Sequence, residues 1–145
     1  MTDRRLAIDA WESLFRAQHA IFAEISDDFD DTLSQEEYDV LLTVTRGEDL
    51  TARLRDVTGN MLISQPSVSR LVDRMTARGL LTKCPDPHDG RGSLVRATDE
   101  GSALFRRIAS RHGASIARRM AVLSDEELEQ LRALTAKLRH TAPDD

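Results

Sequence analysis

The sequence has few features that would direct it to a membrane, to secretion or to a disulfide-stabilised fold. Its single cysteine, Cys84, excludes an internal disulfide, and a reducing cytoplasm is the expected compartment. No apolar run approaches the roughly 18 residues of a membrane span, and the N-terminal stretch MTDRRLAIDAWE lacks the apolar core of a secretion signal. Aromatic residues make up only 4 % of the chain and charged residues 31 %. That composition favours a helix-rich soluble protein over a β-sandwich.

Recognisable patterns of catalytic and metal-binding residues are also missing. The four histidines share no ligand spacing, and none forms a zinc pattern with the cysteine. The serines show no Ser-His-Asp arrangement, and the GRG at 90–92 lacks the strand–loop–helix context and the lysine of a phosphate-binding loop. We therefore expect no metal, no cofactor and no catalytic site. A small enzyme is a rival hypothesis, which turnover of any substrate would revive.

The net charge of −5 argues against a nucleic-acid partner, but the charges are unevenly distributed. Residues 23–45 hold eight acidic and no basic residues, whereas residues 53–97 hold eight basic and four acidic ones. The second segment therefore carries a net charge of +4, from eight bases minus four acids. A positive face on an acidic body still attracts phosphate, because only charges within a Debye length of about 10 Å act strongly.

Hydrophobic spacing and capping signals predict a series of helices interrupted by one hairpin. The predicted elements are a helix over Asp3–Asp28, a helix from Ser34 to Gly47, a polar connection RGEDLTARL, a short helix over Leu54–Leu62, a helix over 64–79 capped by Ser64, two extended segments LLTKC and SLVRA joined by a long loop PDPHDGRG, a helix over Asp99–Ala121 and a last helix from Ser124. This order, α-α-α-α-β-β-α-α, gives a mainly α fold with a small two- to three-stranded β wing. We predict three segments, 1–33, 34–98 and 99–145.

The helix over 64–79 has one apolar face and one polar face. Its apolar positions span about 100° of a helical wheel, the width expected of a buried stripe, and they are Val68, Leu71, Val72 and Met75. Small polar residues near its N-terminus would let the helix approach base edges in the major groove, where glutamine pairs with adenine and arginine with guanine. A short helix and a tight turn precede it, which is typical of a helix-turn-helix.

The predicted hairpin places Arg91 between Gly90 and Gly92, which permit a close backbone approach. A guanidinium on a protruding hairpin suits a narrow, electronegative minor groove, and Asp89 is positioned to orient it through a charge-assisted pair. Directly after a recognition helix, such a hairpin indicates a winged helix-turn-helix.

The stretch EYDVLLTV followed by ISQPSVSRLVDRMTARGLLTKCPDPHDGRGSLVRATDEG resembles the MarR (multiple-antibiotic-resistance regulator) transcription factors of bacteria and archaea. The resemblance is close over Glu37–Gly101 and extends to the flanking helices by order and length. It implies a homodimer whose first and last helices interlock, and which reads a pseudo-palindromic operator in double-stranded DNA. It also implies repression and small effectors, often aromatic acids, that bind between the dimer helices and the DNA-binding lobes.

Carried over by position, the resemblance assigns the helix over 64–79 to the major groove and the wing over 85–92 to the minor groove. The residues predicted to contact DNA are Gln65, Pro66, Ser67, Ser69, Arg70, Arg74, Asp89 and Arg91. Trp11 and Phe15 are candidates for an effector pocket, although dimer core is the better interpretation of both. Gly90 stands where the family often has arginine. Cys84 lies at the wing base, whereas peroxide-sensing members usually carry their cysteine in the first helix.

These observations predict a dimeric, cytoplasmic, ligand-responsive DNA-binding repressor. The alternative is a winged-helix module that binds a protein partner without specific DNA binding. The alternative predicts that loss of Arg91 leaves partner binding intact and that DNA binding is weak at every salt concentration.

Overall fold

The computed structural model describes residues 1–140, which form six α-helices, two short 3₁₀ turns and three strands. In chain order these are α1 (Arg4–Ile25), a 3₁₀ turn (Ser26–Asp28), α2 (Gln35–Arg46), a 3₁₀ turn (Glu48–Leu50), β1 (Thr51–Arg53), α3 (Leu54–Asn60), α4 (Gln65–Ala77), β2 (Leu81–Asp86), β3 (Asp89–Ala97), α5 (Asp99–Met120) and α6 (Asp125–His140). The predicted mainly α fold with a small wing is confirmed. The last five residues of the predicted segment 99–145 lie outside the described residues. None of the helices within 1–140 is long and apolar enough to cross a membrane.

The sheet has three antiparallel strands in the order β1-β3-β2. Strand β1 lies in the stretch RGEDLTARL, which is wrongly predicted to be only a polar connection. It is three residues long and pairs with β3 more than 40 positions away, with Ala52 opposite Val95. Such a strand leaves no periodic pattern in the sequence, because distant pairing alone defines it.

The hairpin is tighter than the predicted long loop PDPHDGRG. Pairing between β2 and β3 continues to Asp86 opposite Asp89, so only Pro87 and His88 form the turn. A register irregularity between Pro85 and Asp86 accommodates the proline. Arg91 consequently lies on the shaft of the wing, in strand β3, and not in a loop at its tip.

The core lies where α2, α4, the sheet and the first half of α5 meet. The predicted apolar stripe of α4 is confirmed, since its four residues are all at most 4 % exposed. Gly79 ends the helix with φ +78, and its neighbour Leu80 donates its N–H to the Met75 carbonyl at 3.0 Å. This hydrogen bond and the left-handed glycine form a common type of helix ending that favours glycine at this position.

The connection between α1 and α2 is held to α5 by a partly buried polar cluster. Asp28 accepts hydrogen bonds from Ser115 at 2.8 Å and from His112 Nδ1 at 3.0 Å. Burial of Asp28 disfavours its charged form, but the hydrogen bonds and the nearby charges of His112 and Arg111 outweigh burial and lower the pKa of this carboxyl. The ring of His112 also packs against Phe29, with 4.8 Å between the ring centroids.

We expect Asp28→Asn to remove stability that the wild-type protein has only above acidic pH. A carboxyl whose folded pKa is lowered stabilises the fold above its ordinary pKa of 3.8, and this stabilisation disappears as pH falls through the folded value. The difference in free energy of unfolding between wild type and variant should therefore be largest above about pH 5. Urea denaturation between pH 3 and pH 7 measures it. A difference that stays constant over this range would contradict the role assigned to the Asp28 charge.

Candidate nucleic-acid interface

The N-terminal half of α4 and the β2–β3 hairpin face each other across an open cleft of about 260 Å³. From the residues predicted for the site, the cleft brings together Gln65, Ser69, Asp89 and Arg91. Amide, hydroxyl, carboxylate and guanidinium groups thus line one concave surface, although up to 26 residues separate them in the chain. The amide, hydroxyl and guanidinium groups can donate hydrogen bonds to base edges and to phosphate oxygens.

The other predicted residues of α4 lie on its outer surface and not in the cleft. Pro66, Arg70 and Arg74 are exposed, and Ser67 is half-buried. The Arg70 guanidinium lies 3.4 Å from the Ser67 hydroxyl, a long hydrogen bond that leaves the arginine facing outward. Arg74 has no ion-pair partner within residues 1–140. The two arginines therefore extend the positive surface along the helix.

Ser64 stands at the N-cap position of α4, but the predicted side-chain cap is wrong. Its hydroxyl is hydrogen-bonded to the Ser67 hydroxyl at 2.9 Å, and its side chain caps no backbone N–H. Pro66 in the first turn explains the arrangement in part, because proline has no N–H for the serine to cap. The hydroxyl pair lies at the exposed start of the helix.

Asp89 is predicted to pair with the guanidinium of Arg91, but it binds the backbone of the wing instead. Its Oδ1 accepts the backbone N–H of Arg91 at 3.1 Å. A Cβ at Gly92 would lie 3.2 Å from Asp89 Oδ2. Glycine at this position therefore leaves room for the carboxylate to pack against the strand. The Arg91 side chain itself is exposed at the edge of the cleft.

Sequence reasoning missed three charged residues of the cleft, Arg53, Arg55 and Asp86. Asp86 is only 5 % exposed, accepts the His88 N–H at 2.9 Å and lies 3.5 Å from Arg53 Nε. The only signal in the sequence was the excess of basic residues in 53–97, which does not say which arginines converge. The fold brings them to the cleft because β1 is the neighbour of β3.

Trp11 and Phe15 lie on α1 away from the cleft. They are 59 % and 51 % exposed, with ring centroids 5.8 Å apart, and neither contributes to a cavity between α1 and α2. Helix α1 has no buried residue, and neither has α6. The large apolar side chains exposed on these two helices are Leu6, Ile8, Trp11, Phe15, Phe22, Leu134 and Leu138.

Two of the other cavities differ in the charge of the residues that line them. One of about 320 Å³ between α1, α2 and the turn before α4 includes Glu36 and Asp39 in its lining. The other, of about 360 Å³, lies between α2 and α5, with an apolar lining of Leu42, Leu50 and Phe105 and with Arg46 and Arg106 beside it. Within residues 1–140 neither arginine has an ion-pair partner. Of these two, the second cavity is therefore better suited to a small molecule with an apolar body and a carboxylate.

Within residues 1–140, no group of three or more histidine, cysteine, aspartate or glutamate side chains is arranged to hold a metal ion. Cys84 is a free, exposed thiol on β2.

Comparison with known proteins gives a consistent result. The MarR family model matches residues 28–92. The chain is 29 % identical over 107 residues to the HTH-type transcriptional regulator PecS of Dickeya dadantii (strain 3937), an alignment that covers 73 % of this chain and 64 % of PecS. The chain spans 52 to 64 % of the length of the curated relatives it matches.

The solved structures that match nearly the whole chain include the following two. The first is that of BpsR from Bordetella bronchiseptica, whose DNA binding is regulated by 6-hydroxynicotinic acid; it is 25 % identical, with a TM-score of 0.76, and the match covers 90 % of this chain and 98 % of BpsR. The second is the transcriptional regulator PcaV from Streptomyces coelicolor in complex with its natural ligand; it is 26 % identical, with a TM-score of 0.77, and the match covers 99 % of this chain and all of PcaV.

Proposed function

The chain belongs to the MarR family, and from this premise we propose that it is a sequence-specific DNA-binding transcriptional regulator, not an enzyme. The observation that carries the proposal is the cleft that joins Gln65 and Ser69 of α4 to Arg91 of the wing. In the proposed complex, α4 enters the major groove and the wing enters the adjoining minor groove. Gln65, Ser69 and the outward-facing arginines of α4 supply base and phosphate contacts, and Arg91 supplies the minor-groove contact.

We propose that two copies of the chain form a homodimer through the segments 1–33 and 99–145. A 22-residue helix without a buried residue gains little stability from packing within its own chain, because helices in proteins derive most of their stability from a packed apolar face. The exposed apolar side chains of α1 and α6 supply such a face for a second copy. In a two-fold dimer the two recognition helices lie about one DNA turn apart, and this spacing fits the two half-sites of a pseudo-palindromic operator. Light scattering after size exclusion should give the mass of two chains.

We propose that the regulator represses and that a small aromatic acid releases it. The cavity between α2 and α5 supports this proposal, because Arg46 and Arg106 match a carboxylate while its apolar lining matches a ring. The cavity touches α2 of the DNA-binding lobe and α5 of the proposed dimer segment. A ligand bound there would act only if it prefers a lobe orientation that cannot reach two consecutive major grooves.

Arg106→Ala should raise the concentration of aromatic carboxylate needed for release by about tenfold or more, because a charged hydrogen bond to the ligand is lost. The measurement is DNA release followed by fluorescence anisotropy with a panel of hydroxylated aromatic carboxylates that includes 6-hydroxynicotinate. DNA affinity without ligand should stay unchanged and serves as the control. A variant that responds to the active ligand like the wild type would place the effector elsewhere.

The test of DNA recognition is anisotropy with the duplex immediately upstream of the protein's own gene and with a scrambled duplex of equal length, across a salt series. Tight binding that favours the upstream duplex and weakens steeply with salt would support the proposal, and its slope counts the phosphates neutralised. If no binding occurs, selection from randomised DNA follows. Failure to enrich a palindrome would favour the alternative, a winged-helix module for a protein partner.

A further inference from the structure

The cleft between α4 and the wing has a floor that belongs to neither DNA-reading element. Arg53 is the last residue of β1, and Arg55 is the second residue of α3. Both line the cleft that separates the helix proposed for the major groove from the hairpin proposed for the minor groove. On double-stranded DNA, adjoining grooves are separated by one sugar–phosphate strand. If α4 and the wing occupy adjoining grooves, that strand must pass over this floor.

We propose that Arg53 and Arg55 bind the phosphates of the DNA strand that crosses the cleft. This inference rests on the proposed DNA-binding function and adds two contacts that read no sequence. Arg53, Arg55 and Arg91 all line this space of about 260 Å³, together with the carboxylates of Asp86 and Asp89. A planar guanidinium donates paired hydrogen bonds to phosphate oxygens, which makes arginine well suited to this position.

The position of Arg55 is not explained by the stability of its own helix. A cation in the first turn of a helix opposes the helix dipole, which favours anions there. The side chain is exposed and has no ion-pair partner within residues 1–140. Its guanidinium is therefore free to bind an anion at the cleft.

Arg53 is fixed in place by a buried carboxylate. Asp86 Oδ2 lies 3.5 Å from Arg53 Nε, and the side chains are 4 % and 44 % exposed, respectively. Because the ion pair uses Nε, the terminal nitrogens of the guanidinium remain available in the cleft. Asp86 also accepts the backbone N–H of His88, so the same carboxylate links Arg53 to the wing turn. Asp86 is a positioning residue that sets Arg53 relative to the hairpin.

The test compares Arg55→Ala, Arg55→Lys and Arg107→Ala with the wild type by anisotropy on upstream and scrambled duplexes across a salt series. Arg107 is exposed and lies outside the cleft, in the first half of α5 that packs at the core, and it is not one of the apolar residues of α1 and α6 proposed for the dimer. Its replacement is therefore the matched control for loss of one charge. For Arg55→Ala we expect about a 5- to 50-fold loss of affinity on both duplexes and a salt slope lower by about one. Arg55→Lys should recover part of the affinity.

Arg53 is replaced together with Asp86, because removing Arg53 alone would leave the buried Asp86 carboxylate without its partner. The double variant Arg53→Ala/Asp86→Asn removes both charges and keeps an acceptor for the His88 N–H. Like Arg55→Ala, it should lower the salt slope by about one relative to the wild type, and it should leave the preference for the upstream duplex unchanged.

The outcomes separate this inference from the proposed function. If the wild type binds with a steep salt slope while Arg55→Ala and the double variant behave like Arg107→Ala, the phosphate contacts are refuted and the DNA-binding proposal stands. A loss of affinity confined to the upstream duplex would refute them as well, because it would mean that the arginines read bases. If the wild type binds neither duplex nor selected DNA, both proposals fall together.

Discussion

Alanine in place of Gly101 is expected to destabilise the folded protein by about 3 kcal/mol, an effect near the upper end of that seen when extra atoms enter a packed core. Gly101 lies in the first turn of α5 and is buried. A Cβ there would be 2.1 Å from the backbone oxygen of Leu80 and 2.9 Å from its carbonyl carbon. Real Cβ atoms do not approach backbone atoms so closely, so the start of α5 and the backbone at Leu80 would have to move apart.

The backbone at Leu80 has little freedom to move away from α5. Its N–H donates to the Met75 carbonyl at 3.0 Å, its carbonyl accepts the Thr98 N–H at 3.1 Å, and its side chain is 3 % exposed. Thr98 in turn caps α5 by accepting the Gly101 N–H at 3.0 Å. Relief of the clash would therefore disturb the end of α4, the start of β2 and the start of α5 together.

Urea denaturation of Gly101→Ala, Gly59→Ala and wild type measures this effect. Gly59 is the matched control, because it is also helical but a Cβ there would meet nothing within 4 Å. Its replacement should stabilise the protein by up to about 1 kcal/mol through helix propensity. Equal stability of the Gly101 variant and the wild type would show that α5 and Leu80 are farther apart than the structure places them.

Arg91→Ala is expected to weaken binding to the upstream duplex by about 10- to 100-fold at low salt, which corresponds to the loss of one strong arginine contact. Arg91 is exposed on the shaft of the wing, and Asp89 fixes its backbone by a 3.1 Å hydrogen bond. A guanidinium in a narrow minor groove gains affinity from the enhanced negative potential of A·T-rich segments. The loss should therefore be larger on a duplex whose wing-contacted flank is A·T-rich than on one whose flank is G·C-rich.

Arg107→Ala again supplies the control for loss of one positive charge, and circular dichroism checks that the wing variant is folded. Arg91→Ala and Arg55→Ala are expected to differ in kind. The first should change the preference among flanking sequences, whereas the second should weaken all duplexes alike. An Arg91 variant that binds every duplex like the control would remove the wing from the DNA interface and favour a protein partner.

Much of the fold could be predicted because it is encoded within short stretches. The capping boxes at Ser34 and Ser124 are present, with both reciprocal hydrogen bonds formed at each. The apolar stripe of α4 is buried and Gly79 takes the left-handed conformation. These features depend on residues within about five positions of one another, so the sequence states them directly.

Other features of the site were decided by contacts between distant residues. The tight hairpin moved Arg91 from a loop to a strand, and Asp89 took the backbone N–H instead of the guanidinium. Arg53 and Arg55 reach the cleft only because β1 pairs with β3, and nothing near them in the sequence marks that pairing.

Local sequence patterns were therefore sufficient to predict the helices, the apolar faces, the winged helix-turn-helix and the excess of basic residues in 53–97. The packing of distant elements was needed to show which arginines share the cleft and why position 101 must be glycine. This difference follows from the range of the interactions. Caps and helix endings are satisfied within a turn or two of the chain, whereas the floor of the cleft and the approach of Leu80 to Gly101 exist only after separate elements have packed.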